Sequence, residues 1–107
     1  MSNADVLDRL AATIKARRKS KPEESYTRRL IDSAPIKPAK KLGEEAVETC
    51  LAAVAQDKTA LTNESADLLY HLLVLWTACD IAPEEVYAAL AAREGRSGLE
   101  EKAARKD

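Results

Sequence analysis

Residues 43–48 read Gly-Glu-Glu-Ala-Val-Glu, and residues 64–67 read Glu-Ser-Ala-Asp. Each block lies in a segment whose apolar residues recur at helical spacing. On a helix of about 3.6 residues per turn, the acids of each block share one face. These acids are Glu44, Glu45, Glu48, Glu64 and Asp67. Like charges at such spacings destabilise a helix unless a cation or a basic side chain lies among them.

The two acidic blocks occupy neighbouring predicted helices. We expect one helix from about Pro35 or Pro38 to about Ala55, since proline is tolerated in a first turn. The next helix is expected from about Thr59 to about Cys79. Helices joined by so short a connection pack as an antiparallel hairpin. Both blocks lie at similar distances from the connection, so the hairpin places their carboxylates at the same height.

The remainder of the chain also has helical patterning. Further helices are predicted over about residues 4–19, over about residues 25–32, and from about residue 83 to a point before Gly95. No segment combines alternating polarity with enrichment in β-branched residues, so no strand is predicted. The pattern is therefore typical of an all-α protein.

Apolar stripes on the two hairpin helices predict which side chains enter the core. The first helix carries an i, i+4 stripe of Leu42, Ala46, Cys50 and Val54, which we expect to face inward. The second helix is apolar most of the way round. One small chain has few elements to cover it, so we infer a subunit interface. Cys50 and Cys79 are interpreted as small core residues of a protein in a reducing compartment.

Length, charge and hydropathy limit the classes of protein to consider. A chain of 107 residues has the size of one domain, residues 1–107, with a modest core. The net charge of −1 argues against nucleic-acid binding through bulk electrostatics. No apolar run reaches membrane-spanning length, and the N-terminus lacks the pattern of a secretion signal. We therefore expect a cytoplasmic protein without a membrane partner. Its charged tail, residues 95–107, is expected to be irregular until about Leu99.

The carboxylates of the two blocks are hard oxygen ligands. No cysteine or histidine pairs with them at a useful spacing, so the composition favours Mg²⁺ or Mn²⁺ over zinc or copper. The alternative is that both acidic faces are solvated and pair with lysines, as Glu44 can with Lys40 or Lys41. Asp67 weighs against this alternative, because it has apolar neighbours and burying it unpaired would cost several kcal/mol.

Two basic segments are candidates for phosphate binding. Lys37, Lys40 and Lys41 lie in the opening turns of the first hairpin helix, where they oppose the helix dipole. A bound phosphate would explain them, and so would pairing with the nearby glutamates. Residues 93–98, Arg-Glu-Gly-Arg-Ser-Gly, have the guanidinium, hydroxyl and glycine of a phosphate clamp. A helix C-cap at Gly95 followed by frayed chain is the alternative.

Other conspicuous residues first receive structural interpretations. Residues 25–27, Ser-Tyr-Thr, would cap the second helix. His71, the only histidine, is interpreted as a core residue that is spaced to hydrogen-bond Asp67. Gly43 costs about 1 kcal/mol in a helix relative to alanine, so it indicates close approach of a ligand or of a neighbouring helix.

Four blocks together resemble one family. They are residues 25–27, 40–48, 64–71 and 96–102, which read Ser-Tyr-Thr, Lys-Lys-Leu-Gly-Glu-Glu-Ala-Val-Glu, Glu-Ser-Ala-Asp-Leu-Leu-Tyr-His and Arg-Ser-Gly-Leu-Glu-Glu-Lys. On these blocks the chain resembles the phosphoribosyl-ATP pyrophosphatase family, which belongs to the all-α, MazG-like nucleotide pyrophosphatases. The acidic blocks alone indicate only the superfamily, whereas the first and last blocks indicate this member. The resemblance covers residues 25–105.

The resemblance implies an assembly, an activity and a site. It implies a homodimeric helical bundle and Mg²⁺-dependent hydrolysis of phosphoribosyl-ATP to phosphoribosyl-AMP and pyrophosphate, the second step of histidine biosynthesis. The implied metal ligands are Glu45, Glu48, Glu64 and Asp67, with Glu44 as an outer ligand. The catalytic candidates are Glu44, Glu45 and Glu48. The substrate-binding candidates are Tyr26, Lys40, Lys41, Arg96 and Ser97.

Three functions follow from these observations. In the first, water attacks a phosphoanhydride of phosphoribosyl-ATP, Glu44 or Glu45 accepts the proton, and basic side chains stabilise the phosphate charge. The second is a house-cleaning pyrophosphatase for deoxynucleoside triphosphates that uses the same metal site. The third is a helical dimerisation module whose acids are only solvated. Pro38 departs from the family pattern, which usually has an apolar helix former there, so the start of its helix needs a structure.

Overall fold

The structure, a computed structural model, describes residues 3–96 and 98–105. Over these residues the chain forms six helices and no strand. The helices are α1 (Asp5–Arg17), α2 (Tyr26–Asp32), α3 (Ile36–Val54), α4 (Lys58–Ala78), α5 (Pro83–Ala91) and α6 (Gly98–Arg105). The predicted all-α class is confirmed for the described chain. No single helix in it has the length and apolar composition to cross a membrane; α4 and α5 reach both only when taken together across a bend of 112°.

Local sequence explains where three of the helices begin. The Ser25 hydroxyl accepts a hydrogen bond from the Arg28 amide at 3.1 Å, so the predicted cap of α2 is confirmed. A carboxylate oxygen of Asp57 accepts one from the Ala60 amide at 3.0 Å and caps α4 in the same way. α3 tolerates Pro38 because this residue lies in the first turn, where an N–H would have no intrahelical acceptor.

α3 and α4 form the predicted antiparallel hairpin. Their contact is the most extensive between any two helices of the described chain. The Thr49 hydroxyl donates a hydrogen bond to the Glu64 carbonyl oxygen at 3.3 Å, and nearer the start of α3 Glu45 approaches His71. Later residues of α4 therefore contact earlier residues of α3, so the two helices run antiparallel.

The hydrophobic core surrounds the C-terminal half of α4. Its buried members come from α1, α2 and α4, and they are Ile14, Leu30, Leu73 and Val74. Partly buried apolar side chains of the same helices pack around them. α1 and α2 thus cover one side of this half of α4, and α3 lies along another side. Helix α4 is the element on which the other three assemble.

The coverage of α4 differs from the expectation drawn from its composition. Its apolar surface predicts a second subunit as cover, yet α1, α2 and α3 cover most of it within the one chain. Leu73 and Val74 are buried, Trp76 packs against the core, and Leu69 is the more exposed exception at 42%. Among the described helices, α3 carries the most exposed large apolar side chains.

One side of α3 is both apolar and exposed. Its residues project from the side opposite Glu45, within about 60° of one another around the helix. We call this side the outer face of α3. It comprises Ile36, Val47, Leu51 and Val54, whose exposed fractions are 80%, 58%, 63% and 81%. Exposed apolar residues that share one side of a small protein often mark a binding surface, although the exposed Lys40 projects from this side between Ile36 and Val47.

The outer face corrects the predicted core stripe of α3. Leu42 and Ala46 are half-buried, but Cys50 and Val54 are exposed, so the prediction is wrong for the second half of the stripe. Each i, i+4 step rotates by about 40°, so the stripe drifts by about 120° between its first and last members. It therefore leaves the side that packs against α4, where Ala52 is buried instead.

The prediction that both cysteines belong to the core is also wrong. Cys50 and Cys79 are free thiols, and both are exposed. Cys50 lies beside the outer face of α3 because of the same drift. Cys79 is the C-cap residue of α4, where the helix ends at the surface.

The C-terminal segment becomes helical close to the point where the predicted irregular stretch ends. Gly95 adopts φ of 79°, and the chain enters α6 at Gly98 and stays helical to Arg105, beyond the irregular stretch expected up to about Leu99. Leu, Glu, Lys, Ala and Arg dominate this segment, and all are strong helix formers. Ser97, a predicted substrate residue, lies outside the described residues.

The cap of α4 leads to a prediction about stability. Asp57→Ala removes the acceptor for the Ala60 amide at the start of α4, so we expect it to lower the free energy of unfolding by about 1 kcal/mol. Asp57→Ser keeps a capping oxygen and should lose much less. Urea denaturation of the three proteins at one protein concentration measures the difference. Equal midpoints for the alanine and serine variants would show that the cap contributes nothing.

Candidate functional site

Three carboxylates from the two hairpin helices converge. Glu45 and Glu48 come from α3 and Glu64 from α4, and one oxygen of each lies within 4.8 Å of the other two. The α3 pair are neighbours because they are three residues apart, and the antiparallel register places Glu64 opposite them. We call these three residues the acidic cluster. Three of the four predicted metal ligands therefore meet at one place.

Part of the acidic cluster is removed from water without a hydrogen-bond partner. The side chain of Glu45 is 17% exposed. Its Oε2 atom and that of Glu64 are buried, and neither has a hydrogen-bond partner within the described chain. Buried polar oxygens normally have a donor or a cation beside them, because desolvation without one is unfavourable. The two oxygens therefore mark a place for a positively charged ligand.

Burial and mutual repulsion raise the proton affinity of the cluster. Burial raises the pKa of Glu45 above its ordinary value, and the carboxylates of Glu48 and Asp67 raise this pKa further. Burial and the Glu48 carboxylate likewise raise the pKa of Glu64. The physical cause is that desolvation and nearby negative charge both disfavour ionisation. A divalent cation among the three oxygens would instead lower the pKa values of these carboxyl groups.

The donor set of the acidic cluster suits a hard divalent cation. All three donors are carboxylate oxygens, which are the ligands that Mg²⁺ and Mn²⁺ prefer. Ligands of an octahedral Mg²⁺ ion are about 2.9 Å apart when adjacent and about 4.2 Å when opposite, so the oxygens must move closer together to hold one ion. The two buried unpartnered oxygens belong to this donor set. The residues present therefore fit such an ion, whereas two separately solvated acidic faces would not converge.

Asp67 and Glu44 stand beside the acidic cluster. Asp67 lies three residues after Glu64 and is exposed, although its charge is felt by Glu45. The desolvation penalty expected from its apolar neighbours does not arise, because those neighbours project from other sides of α4. Glu44 is 44% exposed and pairs with Lys41 at 3.8 Å. The lysine pairing that sequence offers as an alternative is therefore present for this one glutamate.

His71 has a place in the site that its sequence position does not reveal. It is 7% exposed, and its Nε2 atom lies 4.0 Å from Oε1 of Glu45. The rings of Tyr26 and Tyr70 pack edge-on against it, with centroids 6.3 and 4.9 Å away. The imidazole is thus held between the start of α2 and the acidic cluster.

The electrostatic surroundings of His71 favour its neutral form. Burial lowers its pKa and the Lys41 charge lowers it further, against weaker opposite effects of Asp67 and Glu44. The i, i+4 spacing from Asp67 was the only sequence signal for a carboxylate partner. In the structure, the carboxylate closest to the His71 ring is instead that of Glu45, across the hairpin. This proximity depends on how α3 and α4 are aligned, which the sequence spacing of His71 does not show.

The predicted substrate residues are placed unevenly around the site. Tyr26 opens α2, is 43% exposed and contacts His71, so it lies near the acidic cluster. Lys40 is exposed on α3, and Lys41 is engaged in the ion pair described above. Arg96 is exposed beyond α5, a helix that belongs to no extensive helix–helix contact of the described chain. Its role in substrate binding stays a prediction.

Open space adjoins the aromatic part of the site. A cavity of about 330 Å³ is lined by α1, by Tyr70 and by the start of α2, including Tyr26 and Thr27. A larger cavity of about 620 Å³ lies between α1, the end of α4 and the start of α5. No member of the acidic cluster lines either cavity, and the lining of the smaller one also includes the charged side chains of Arg17 and Glu24. The smaller cavity is better placed to receive part of a ligand bound at the cluster, because its wall includes both tyrosines that contact His71.

Comparison with known proteins indicates one family. The family model described as phosphoribosyl-ATP pyrophosphohydrolase matches residues 7–94. The chain is 55% identical over 104 residues to the phosphoribosyl-ATP pyrophosphatase of Azospirillum brasilense, covering 97% of this chain and 94% of that protein. It is 60% identical over 101 residues to the phosphoribosyl-ATP pyrophosphatase of Caulobacter sp. (strain K31), covering 94% of each. The family match contains the whole acidic cluster and ends before Arg96.

The raised pKa values determine the sign of a pH dependence. Without a divalent cation, Glu45 and Glu64 bind protons more tightly in the folded chain than in the unfolded chain. Their contribution to stability is complete below the ordinary pKa of glutamate and is lost as the pH rises through the raised values. In EDTA, the melting temperature of the wild type should therefore fall relative to that of Glu64→Gln between about pH 4 and pH 7.

Glu23→Gln is a matched control for this experiment, because Glu23 is an exposed carboxylate outside the cluster. Its melting temperature should follow that of the wild type at each pH. Added Mg²⁺ at neutral pH should stabilise the wild type more than Glu64→Gln, since a ligand that binds only the folded state raises stability by mass action. A difference between wild type and Glu64→Gln that does not change with pH would contradict the described repulsion.

Proposed function

The chain belongs to the phosphoribosyl-ATP pyrophosphohydrolase family, and from this premise we propose that it is a cytoplasmic enzyme that hydrolyses phosphoribosyl-ATP to phosphoribosyl-AMP and pyrophosphate. The reaction would be the second step of histidine biosynthesis. The acidic cluster is the observation that carries the proposal. Hydrolysis of a polyphosphate requires its negative charge to be neutralised, and three convergent carboxylates can hold the cation that does so.

We propose that the acidic cluster holds Mg²⁺, for which Mn²⁺ can substitute. The all-oxygen donor set and the two buried unpartnered oxygens support this choice. Such an ion supplies charge neutralisation to the phosphoanhydride and lowers the pKa of water bound to it. Asp67 is the fourth proposed ligand, since it lies three residues beyond Glu64 and its charge acts on Glu45.

The chain's own side chains supply the proton transfer. Hydrolysis needs a group that accepts a proton from the attacking water. We propose Glu44 for this role, with Glu45 as the alternative, because Glu44 stands outside the acidic cluster and keeps its oxygens free of the cation. The ion pair with Lys41 at 3.8 Å restrains its side chain.

Basic residues are proposed to hold the polyphosphate. Lys40 and Lys41 lie four residues before Glu44 and Glu45 on α3, so each lysine shares a face of the helix with one of these glutamates. Lys41 projects within about 40° of Glu45, so a phosphate chain at the acidic cluster passes it, whereas Lys40 projects about 140° from Glu45 and is proposed to contact phosphates farther from the cluster. Residues 96–97, Arg-Ser, are proposed to contact the same phosphates, because a guanidinium fork and a hydroxyl both suit phosphate oxygens.

The smaller cavity is proposed to receive the nucleoside part of the substrate. Tyr26 combines 43% exposure with a ring contact to His71, so a ligand can reach it from solvent while remaining near the acidic cluster. The cavity that it lines has a volume of about 330 Å³ and offers both aromatic and hydroxyl groups. Such a lining suits a base and a ribose more than a phosphate.

We also propose that the enzyme is a homodimer whose interface includes the outer face of α3. That face is apolar and exposed in the single chain, and exposed apolar patches on small proteins are typical of subunit interfaces. Helix α5 buries no residue within the described chain, and its Leu90 is 59% exposed. A second copy would supply the cover that the chain does not give to either helix.

Release of pyrophosphate from phosphoribosyl-ATP tests the catalytic proposal. We expect release in the presence of Mg²⁺ and none in EDTA. Glu48→Gln should lose about 100-fold or more in kcat/KM, because it removes one of the three convergent carboxylates. Asp67→Asn should lose a comparable factor, because Asp67 is the fourth proposed ligand of the same ion. Unchanged release by a folded Glu48→Gln protein would remove the acidic cluster from the reaction, and Glu23→Gln again serves as control.

A nucleotide panel in the same assay separates the proposed substrate from the house-cleaning alternative. Phosphoribosyl-ATP should be turned over in strong preference to ordinary deoxynucleoside triphosphates. Comparable rates for both would assign the site to general nucleotide clearance, with the same metal chemistry.

Sedimentation velocity tests the proposed interface. Leu51→Glu places a charge in the centre of the outer face of α3, where burial against a partner would be strongly unfavourable, so it should convert the dimer to a monomer. Val6→Glu is the matched control, because Val6 is 51% exposed but lies on α1. A Leu51→Glu protein that sediments as the wild-type dimer would exclude this face from the interface.

A further inference from the structure

His71 is a buried polar side chain that the proposed reaction does not use. It is 7% exposed, and its Nε2 atom faces Oε1 of Glu45 at 4.0 Å. Its Nδ1 atom is buried and has no hydrogen-bond partner within the described chain. Polar atoms this deeply buried are usually paired, so an unpaired imidazole beside an acidic cluster indicates a function.

The position of its single N–H can be inferred from its surroundings. A neutral imidazole carries one N–H donor and one bare nitrogen. A buried donor without an acceptor is the costlier of the two to leave unpaired. Only Nε2 has a recorded acceptor nearby, the Glu45 carboxylate, so the hydrogen belongs on Nε2 and the bare nitrogen is Nδ1.

The distance between Nε2 of His71 and Oε1 of Glu45 fits a direct contact better than a bridging water. A water that hydrogen-bonds both atoms at a tetrahedral angle would hold the nitrogen and the oxygen about 4.6 Å apart, which is longer than the observed 4.0 Å. The same distance exceeds that of a hydrogen bond by about 1 Å, which a small rotation of the glutamate side chain removes. The second oxygen of Glu45, Oε2, is then the one that stays buried and unpartnered.

We propose that His71 is a positioning residue, which donates its Nε2 hydrogen to one oxygen of Glu45 and thereby directs the other oxygen to the cation shared with the acidic cluster. The inference rests on the proposed function, because it requires a cation at that place. Carboxylate ligands of metals are commonly oriented by such a hydrogen bond from outside the ligand set.

Two tyrosine rings restrain the orientation of the His71 imidazole. Tyr70 packs edge-on against the ring with an interplanar angle of 76°, and Tyr26 does so at 89°. The hydroxyl of Tyr70 is hydrogen-bonded to that of Thr27. Residues 25–27, the Ser-Tyr-Thr block, thus reach the acidic cluster through His71. A fixed ring orientation is what a positioning residue requires.

Direct Mn²⁺ binding without substrate tests this role, with free Mn²⁺ followed by electron paramagnetic resonance. His71→Leu removes the donor and should weaken Mn²⁺ binding by about 10- to 100-fold. His71→Gln carries an amide N–H at similar reach and should bind Mn²⁺ nearly as the wild type does. Tyr87→Phe removes a tyrosine hydroxyl that is hydrogen-bonded to Asp8 away from the site, so it controls for general disturbance and should bind Mn²⁺ as the wild type does.

A second pair of variants keeps the test decisive if His71→Leu does not fold. His71→Asn is as polar as His71→Gln but its amide is one bond shorter, so it should bind Mn²⁺ as weakly as the leucine variant. Equal affinity of wild type, His71→Gln and His71→Asn would overturn the positioning role while leaving the metal site intact. A wild-type protein that does not bind Mn²⁺ would overturn the proposed metal function and this inference together.

Discussion

Like-charge repulsion among Glu45, Glu48 and Glu64 is the constraint that the rest of the fold has to accommodate. The three carboxylates meet where α3 packs against α4, and two of their oxygens are buried without partners. Such an arrangement opposes folding, so other contacts must hold the hairpin together. Those contacts include the rest of the α3–α4 packing, where Ala52 is buried, while Leu73 and Val74 anchor the further half of α4 beneath α1 and α2. The first half of α4 thus contributes Glu64 to the acidic cluster, and its second half contributes Leu73 and Val74 to the core. This separation is expected where a functional site is unfavourable for stability.

The hairpin and its acidic cluster could be predicted from sequence because both depend on local rules. Apolar periodicity and the short connection determine that α3 and α4 run antiparallel. The similar distances of Glu48 and Glu64 from that connection then determine that their carboxylates meet. The cap at Ser25 follows from residue type alone. The assignment to phosphoribosyl-ATP required more than such rules, since it rests on resemblance to a family and on close relatives.

Features that depend on contacts between distant segments could not be predicted in this way. Cys50 and Val54 continue an apolar pattern, but their exposure depends on which side of α3 receives another element, and within the described chain the extensive contact of α3 is with α4. His71 is spaced for Asp67 along its own helix, whereas Glu45 faces it across the hairpin. Asp67 has apolar neighbours in sequence and is nevertheless exposed, because consecutive residues of a helix project from different sides. In each case the deciding quantity is a tertiary contact.

Gly43 lies on the side of α3 that faces away from the acidic cluster. Sequence leaves open whether this glycine admits a ligand or a neighbouring helix. It projects about 160° away from Glu45, so it cannot admit a ligand to the acidic cluster, and it lies within about 40° of Val47 on the outer face. Nothing in the described chain comes within 4 Å of a Cβ at this position, so the fold of a single chain has no need of glycine there. In the proposed homodimer, close approach of a second helix to the outer face would account for a glycine that weakens α3 by about 1 kcal/mol.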